Sequence, residues 1–409
     1  MVSKNSQPKR KYDIVLYGAT GFVGRQTALY LATYPKERAK GLRWALAGRD
    51  PQKLQDSRGR CGPGGARAGI IVADAHDRAA LDTLARSAKV VLSTAGPFAL
   101  YGSDLVAACV DHGTHYVDIT GETPWVRGLI DRHDAQAARD GTRIIPFCGF
   151  DSVPSDIGVW LVHQVMRERH GEDCVNVKAA YSVRGGVNGG TLASALNMLG
   201  SEQARAFADP FLLNPAQTRP PDAAAQQDPV AARYDAQFKA WLCPFMMGPI
   251  NTRVVRRSAA LLDYGEAFHY QEYLRVGQGL PAAAAAIALS AGMGASQLAL
   301  QLAPVRKLAS LLAPRPGAGP SSASMDGGSF RCELVGTGTS GRTVRGRIAD
   351  RGDPGNRATT KMVCEAALCL ALQQDLLPVH AGVLTPASGL GAVLAARLRA
   401  AGMTLDIDD

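Results

Sequence analysis

The chain has little with which to hold a metal or build a covalent nucleophile. Its eight cysteines (Cys61, Cys109, Cys148, Cys174, Cys243, Cys332, Cys364 and Cys369) include no Cys-x-x-Cys pair and no histidine at ligand spacing. Neither a zinc site nor a dithiol redox motif is expected from them. Cys109, Cys364 and Cys369 sit in apolar runs, where a free thiol behaves as a small hydrophobe, and a reducing intracellular compartment is expected. There is no His-Glu-x-x-His, no Gly-x-Ser-x-Gly and no P-loop, which removes the zinc-protease, hydrolase-elbow and P-loop NTPase readings. His112, His115, His133, His163 and His170 show no metal-ligand spacing. Lys4, Lys9, Arg10 and Lys11 run straight into a strand with no apolar stretch between, so no signal peptide is expected. The net charge of +9 is not gathered into a basic tract. Nucleic acid is therefore not an expected partner, whereas dinucleotide phosphates or acidic lipids are compatible with that balance. No internal repeat is present.

At 409 residues, and roughly 100–200 residues per domain, two domains are expected. Tyr12–Tyr17 reads as a buried parallel strand. Further strands follow at Trp44–Ala47, Ile70–Val72, Val90–Ser93, Tyr116–Ile119 and Arg143–Ile145, with helical patterns between them. This alternation is the signature of a doubly wound α/β sheet, a Rossmann fold. After Asp151 the pattern changes. A helix Ile157–Arg169 and a strand Val175–Val183 lead to a glycine-rich turn 185–190 and a helix Thr191–Phe207. Strand-like pieces recur at Thr252–Val255, Ala267–Leu274, Phe330–Val335 and Thr343–Ile348. The expected division is 1–151 plus 355–409 for the Rossmann domain and 152–354 for an inserted mixed α/β domain serving substrate binding or dimerisation.

Gly18, Gly21 and Gly24 follow the first strand and open a helix, together with Thr20, Phe22 and Val23. The spacing suits a tight turn, close approach of a pyrophosphate and helix–sheet packing, with the phosphates on the helix N-terminus. A nicotinamide dinucleotide is the expected cofactor. The second strand ends in Ala47-Gly48-Arg49-Asp50. A guanidinium suits a 2′-phosphate, so NADP (NADPH) is favoured over NAD, although Asp50 adjoins and Arg49 has a solvated-loop alternative. Asp74 ends the third strand, either near the adenine or as a helix cap. Thr94, Gly96 and Pro97 end the fourth, on the nicotinamide side. Tyr116, Asp118, Glu122 and Asp151 are candidate general acids at strand ends. Asp118 and Glu122 have an alternative as caps of Thr123–Trp125, and Ser155 is a candidate N-cap.

No charged residue lies between Arg275 and Arg306. The uncharged segment 276–305 is long enough to span a bilayer, for which about 20 apolar residues suffice, but Pro281, Gly292, Gly294 and several polar residues dilute it. A buried or dimer-facing helix pair, an interfacial element on a membrane or over a lipid groove, and a true span all remain open. A cytoplasmic protein is the expected setting, with peripheral contact with the inner (plasma) membrane and a homodimer as open arrangements.

Gly-Ala-Thr-Gly-Phe-Val-Gly at 18–24, Ala-Gly-Arg at 47–49, Ala-Gly-Pro-Phe at 95–98, Tyr-Val-Asp-Ile-Thr-Gly-Glu at 116–122 and Gly-Phe-Asp-Ser-Val-Pro-Ser-Asp at 149–156 resemble the saccharopine-dehydrogenase-like oxidoreductases, and among them the bacterial trans-acting enoyl reductases. The resemblance continues through Asp353-Pro354-Gly355-Asn356 and Leu384-Thr385-Pro386-Ala387. It implies reduction of a carbon–carbon double bond in a hydrophobic, carrier-bound lipid or polyketide-type intermediate, in service of a polyketide synthase. One departure is Ala318 in Arg315-Pro316-Gly317-Ala318-Gly319-Pro320, where the family carries a glutamate. A saccharopine-type, imine-reducing dehydrogenase is the alternative, with Arg184 or Arg253 as carboxylate clamps. A non-catalytic, membrane-associated dinucleotide-binding protein is the third reading.

Overall fold

The computed structural model describes residues 10–35, 41–185, 204–223, 226–312 and 318–408. The expected glycine turn from 186 on and most of the helix Thr191–Phe207 lie outside the described residues.

Strand β1 (Tyr12–Tyr17) is buried on both faces from Asp13 on, as its unbroken apolar run requires of a central parallel strand. Beside it run β2 (Trp44–Gly48), β3 (Gly69–Val72), β4 (Ala88–Ser93), β5 (His115–Asp118) and β6 (Arg143–Ile145). With the two-residue β13 (Gly382–Val383) they form a seven-stranded sheet in the order β13-β6-β5-β4-β1-β2-β3, parallel throughout. The order reverses between β1 and β4, which opens a ligand crevice at their carboxyl ends. The helices of this layer are α1 (Phe22–Thr33), α2 (Pro51–Arg60), α3 (Arg78–Ser87), α4 (Phe98–Tyr101), α5 (Ser103–Asp111) and α6 (Thr123–Asp140).

The second sheet is mixed. It comprises β7 (Cys174–Arg184), β8 (Arg233–Asp235), β9 (Ala240–Pro244), β10 (His269–Gly277), β11 (Ser329–Gly338), β12 (Thr343–Arg351) and β14 (Thr404–Asp408), in the order β14-β12-β11-β7-β10-β9-β8. Helix α7 (Val153–His170) lies on it so closely that a Cβ on Gly158 would stand 3.0 Å from Leu334. One apolar cluster runs from Leu16 and Val117 of the first sheet through α7 to Leu334 and Ile348 of the second.

The uninterrupted core explains why the C-terminal segment serves both layers. Helix α11 (Thr359–Leu372), buried along nearly its whole length, packs on β1, β4 and β5. Its Glu365 accepts from Tyr30 Oη at 2.7 Å and pairs with Arg397 of α12 (Pro386–Ala400) at 2.7 Å. The last strand leaves that layer. β14 pairs antiparallel with β12, so residues 404–408 belong to the second sheet and not, as expected, to the dinucleotide-binding one.

One expectation from periodicity is corrected, and one of the open readings of the uncharged segment is excluded. Thr252–Val255 is not a strand but part of helix α8 (Gly248–Leu262), opened by Pro249. The β-branched Thr252, Val254 and Val255 suggested a strand; packing decided otherwise, because Arg253, Arg256 and Arg257 use the helical spacing to reach separate loops. The uncharged segment is not buried. It forms α9 (Gly279–Leu300), of whose most apolar 18-residue window only 11% is buried, followed by α10 (Ala303–Leu312).

Candidate active site

The glycine loop carries out three separate tasks. Gly18 has a positive φ of 82°, and a Cβ there would lie 2.8 Å from the backbone nitrogen of Ala95, so β1 and the end of β4 touch through bare backbone. A Cβ on Gly24 would fall 2.1 Å from Gly18 O, which makes this glycine a packing requirement. Gly21 differs: its Cβ position meets nothing nearer than Gly18 O at 3.4 Å. The open side of Gly21 faces the start of α1, where the first-turn amides of Phe22, Val23 and Gly24 have no helical acceptor. This is a cradle that a side chain would fill and that a pyrophosphate fits. Thr20 closes its flank, its carbonyl accepting from Arg25 Nη1 at 2.7 Å.

Arg49 is exposed at the end of β2. Asp50 is committed elsewhere: it caps α2, accepting from the Lys53 amide at 3.0 Å, and pairs with Lys53 Nζ at 3.4 Å. Arg49 is thus the side chain at that strand end left for a ribose substituent. Asp74 makes a local turn, its Oδ1 accepting from the His76 amide at 2.9 Å. The helix cap beyond β3 is Asp77.

On the nicotinamide side, Thr94 is tied to the glycine loop, its amide donating to Tyr17 O at 2.9 Å and its hydroxyl to Gly18 O at 3.2 Å. The following Gly96–Pro97 peptide is cis, and Gly96 is exposed.

The four acid candidates separate sharply. Tyr116 and Asp118 are fully buried, and the Tyr116 hydroxyl donates to Asp118 Oδ2 at 2.9 Å. Asp118 Oδ1 accepts from the amides of Thr120 at 3.0 Å and Phe147 at 3.2 Å, so it joins the ends of β5 and β6. Burial pushes its carboxyl up to about 7, against those hydrogen bonds. Glu122 is buried and accepts from the amides of Phe98 at 2.8 Å and Ala99 at 2.9 Å. It therefore caps α4 across the sheet end; at the N-cap position of the helix of Thr123–Trp125 its side chain makes no capping bond, so that alternative is not taken up. Tyr116, Asp118 and Glu122 build the frame. Asp151 alone of the four has no hydrogen bond among the described residues. It borders Gly121, whose Cβ position is 3.7 Å from Asp151 Oδ2, and both residues are partly exposed. Burial, unaided by any charged neighbour, pushes the Asp151 carboxyl up to about 7.

Beneath Asp151 lies a polar knot that sequence patterning did not single out. Ser155 is not the N-cap of α7, a position held by Ser152. Its hydroxyl donates to Glu272 Oε2 at 2.8 Å and meets Tyr181 Oη at 2.6 Å. Glu272 also accepts from Tyr270 Oη and Asn251 Nδ2, both at 2.7 Å. Burial holds its carboxyl up to about 8. The signal was present in the alternation of β10, which sets Glu272 on the same inward face as Tyr270.

Arg253 is not available as a substrate clamp. It is buried, pairs with Asp228, and donates to the carbonyls of Asp209 at 3.1 Å and Phe207 at 3.1 Å. Arg256 and Arg257 likewise reach backbone carbonyls, of the loops around 210–226 and of Val383 in β13.

Known proteins match nearly the full length of the chain. Residues 14–145 match the family model described as the saccharopine dehydrogenase NADP binding domain. A protein of Mycobacterium tuberculosis named as a trans-acting enoyl reductase is 41% identical over 97% of both chains. The chain belongs to the trans-acting enoyl reductase family. It is an oxidoreductase with a nicotinamide-dinucleotide-binding domain. Another trans-acting enoyl reductase, from Mycobacterium ulcerans, is 38% identical over 98% of each chain. The fold of this family member is that of apo saccharopine dehydrogenase (L-Glu forming) from Saccharomyces cerevisiae, with a TM-score of 0.52 at 13% identity, covering 97% of this chain and 99% of that one.

Proposed function

We infer that the protein is an NADPH-dependent enoyl reductase acting on a hydrophobic, carrier-bound acyl chain. The observation that carries this reading is the corner around Asp151: a half-buried carboxyl without a hydrogen-bond partner among the described residues and with no cation acting on it. A pocket for an amino-dicarboxylate needs guanidinium or ammonium groups to hold its carboxylates. Arg253 is engaged elsewhere, so of the two candidate clamps only Arg184, exposed at the end of β7, is left for such a substrate. An uncharged acyl chain has no such requirement. The names of the relatives point the same way, and a polyketide-type synthase is the source we assign to the thioester.

In this reading the amides at the start of α1 hold the pyrophosphate and Arg49 holds the 2′-phosphate, which selects NADPH. When bound, NADPH would supply the hydride that the β-carbon of the enoyl thioester takes up. Asp151, protonated near neutral pH, gives its proton to the substrate carbon beside the thioester carbonyl, leaving a saturated C–C bond and a carboxylate that water at the half-open rim reprotonates. Glu122 and Asp118 keep the loops after β4, β5 and β6 in place around that carbon.

The test is NADPH oxidation with a long-chain 2-enoyl thioester, with mass spectrometry of the product. The expected product carries two added hydrogens. Turnover confined to an imine or amino-dicarboxylate substrate would replace this reading with the saccharopine-type one.

A further inference from the structure

Between Glu272 and Asp326 there is no aspartate or glutamate, and the cations in that stretch are Arg275, Arg306, Lys307 and Arg315. Helices α9 and α10 lie inside it. α9 rests on the edge of the second sheet through Ala283 and Ala286. The rest of its circumference meets solvent, with Leu280 85% and Leu298 66% exposed. A surface helix of a soluble protein has an apolar stripe facing the core and a polar face outward; α9 is apolar where it is exposed. α10 is amphipathic, with Val305, Leu308 and Ala309 opposite Arg306 and Lys307.

We propose that α9 and α10 form a membrane-docking arm that seats on one leaflet of an anionic lipid surface. α9 lies among the acyl chains, and α10 lies at the headgroups with its cations toward the phosphates. Length alone would permit a span, since α9 measures about 33 Å at ~1.5 Å per residue. Topology forbids it. The strands before and after the arm, β10 and β11, are both hydrogen-bonded to β7, so the chain returns to the side it left. α10 covers about 15 Å, half of the hydrocarbon core, and a return crossing would leave irregular backbone in lipid.

Charge favours a lipid surface over a second copy of the chain. A two-fold pairing across α9 would set the cations of each protomer against an acid-free face of the other, in a chain of net charge +9. Arg306 has no carboxylate partner among the described residues. Its guanidinium donates to the carbonyls of Leu300 at 3.0 Å and Gln301 at 2.7 Å, which fixes a positive charge at the corner between the two helices. The chain leaving α10 returns to the cofactor cradle, where a Cβ on Gly319 would lie 2.5 Å from the Phe22 ring. A docked arm therefore holds the cleft near the lipid.

The experiment is flotation of the full chain with vesicles of phosphatidylglycerol and phosphatidylcholine in equal parts, against phosphatidylcholine alone. The bound fraction is expected to be roughly tenfold higher on the anionic vesicles and to fall to background in the double variant Ile287→Glu, Leu298→Glu. Both of these side chains are exposed, so its melting temperature and NADPH affinity should match the parent. Arg306→Glu with Lys307→Glu should abolish the preference for anionic vesicles while leaving weak binding to both. Absence of flotation overturns the proposal, as does flotation unchanged in the double variant. A vesicle-free dimer that the double variant converts to monomer, with no flotation of the parent, would assign the face to a second copy instead. None of these readouts needs turnover, so failure of the proposed reaction would leave the result standing.

Discussion

Two corners of one cleft use opposite materials. At the start of α1 the groups proposed to hold the ligand are backbone amides, and side chains matter by their absence at Gly18, Gly21 and Gly24. At the start of α7 the proposed working group is a side chain, Asp151, and its properties depend on what other elements withhold from it. The first corner is a local device, complete within seven residues of chain. The second is assembled from the ends of β5 and β6 and from α8, with Ile250 standing 2.9 Å from the Cβ position of Gly121. A functional group made of backbone leaves a motif, whereas one made by desolvation does not.

The comparison breaks most visibly at Gly21. Gly21→Val should leave the fold intact, since its Cβ position is open, and reduce NADPH affinity by roughly a hundredfold or more by filling the cradle, measured by fluorescence titration. Gly24→Val should instead lower the melting temperature steeply, because the added Cβ strikes Gly18 O. Unchanged NADPH affinity in the Gly21 variant would refute the cradle.

Asp151→Asn tests the other corner. It should lower kcat by roughly 10²–10⁴, the usual contribution of a general acid, while leaving the dissociation constant of NADPH within about twofold. Glu122→Gln is its counterpart. Replacing one accepting oxygen by an amide nitrogen loses a hydrogen bond from the Phe98 or Ala99 amide and should cost about 1–3 kcal/mol of stability, with kcat nearly unchanged. If the two variants exchange phenotypes, the assignment of Asp151 to chemistry and Glu122 to the frame is wrong.

Arg49→Ala should weaken NADPH by roughly 10- to 100-fold, as expected for loss of a charge-assisted bond to phosphate, and leave NADH binding unaffected. An equal loss for both cofactors would place Arg49 away from the 2′-position.

The smallest effect concerns pH. Glu272 is held up to about 8, and Asp118, Asp151 and Asp156 to about 7. The folded chain therefore binds more protons than the unfolded one through this range, and stability falls as pH rises through 7 and 8. His115 and His163, pushed down to about 4 by burial from an ordinary value of 6.5, act in the opposite sense only below that value. Melting temperature should thus decline from pH 6.5 toward pH ~8.5, and Glu272→Gln should flatten the decline. A slope unchanged in that variant would show that Glu272 is already ionised in the fold.

The strands up to β6 were legible because parallel strands buried on both faces must be apolar runs, and helices between them must carry a 3.6-residue period. The division of roles among Tyr116, Asp118, Glu122 and Asp151 was not legible. All four are polar groups at strand ends, and only the third dimension shows that amides of Phe98, Ala99, Thr120 and Phe147 engage two of the carboxylates and none engages the fourth candidate. Thr252–Val255 misled for a related reason. β-branching favours a strand locally, but three arginines on one helix can anchor loops that are distant in sequence.

By itself, the sequence determined the dinucleotide-binding domain, the parallel sheet and the family, since each rests on short-range spacing or on an extended match along the chain. Only the tertiary structure decided which acid stands open, that Arg253 is a buried strut, that the last strand crosses to the second sheet, and that the uncharged segment faces outward. Those outcomes depend on which groups are brought within hydrogen-bonding distance and which are kept from water, and neither is a property of neighbours in sequence.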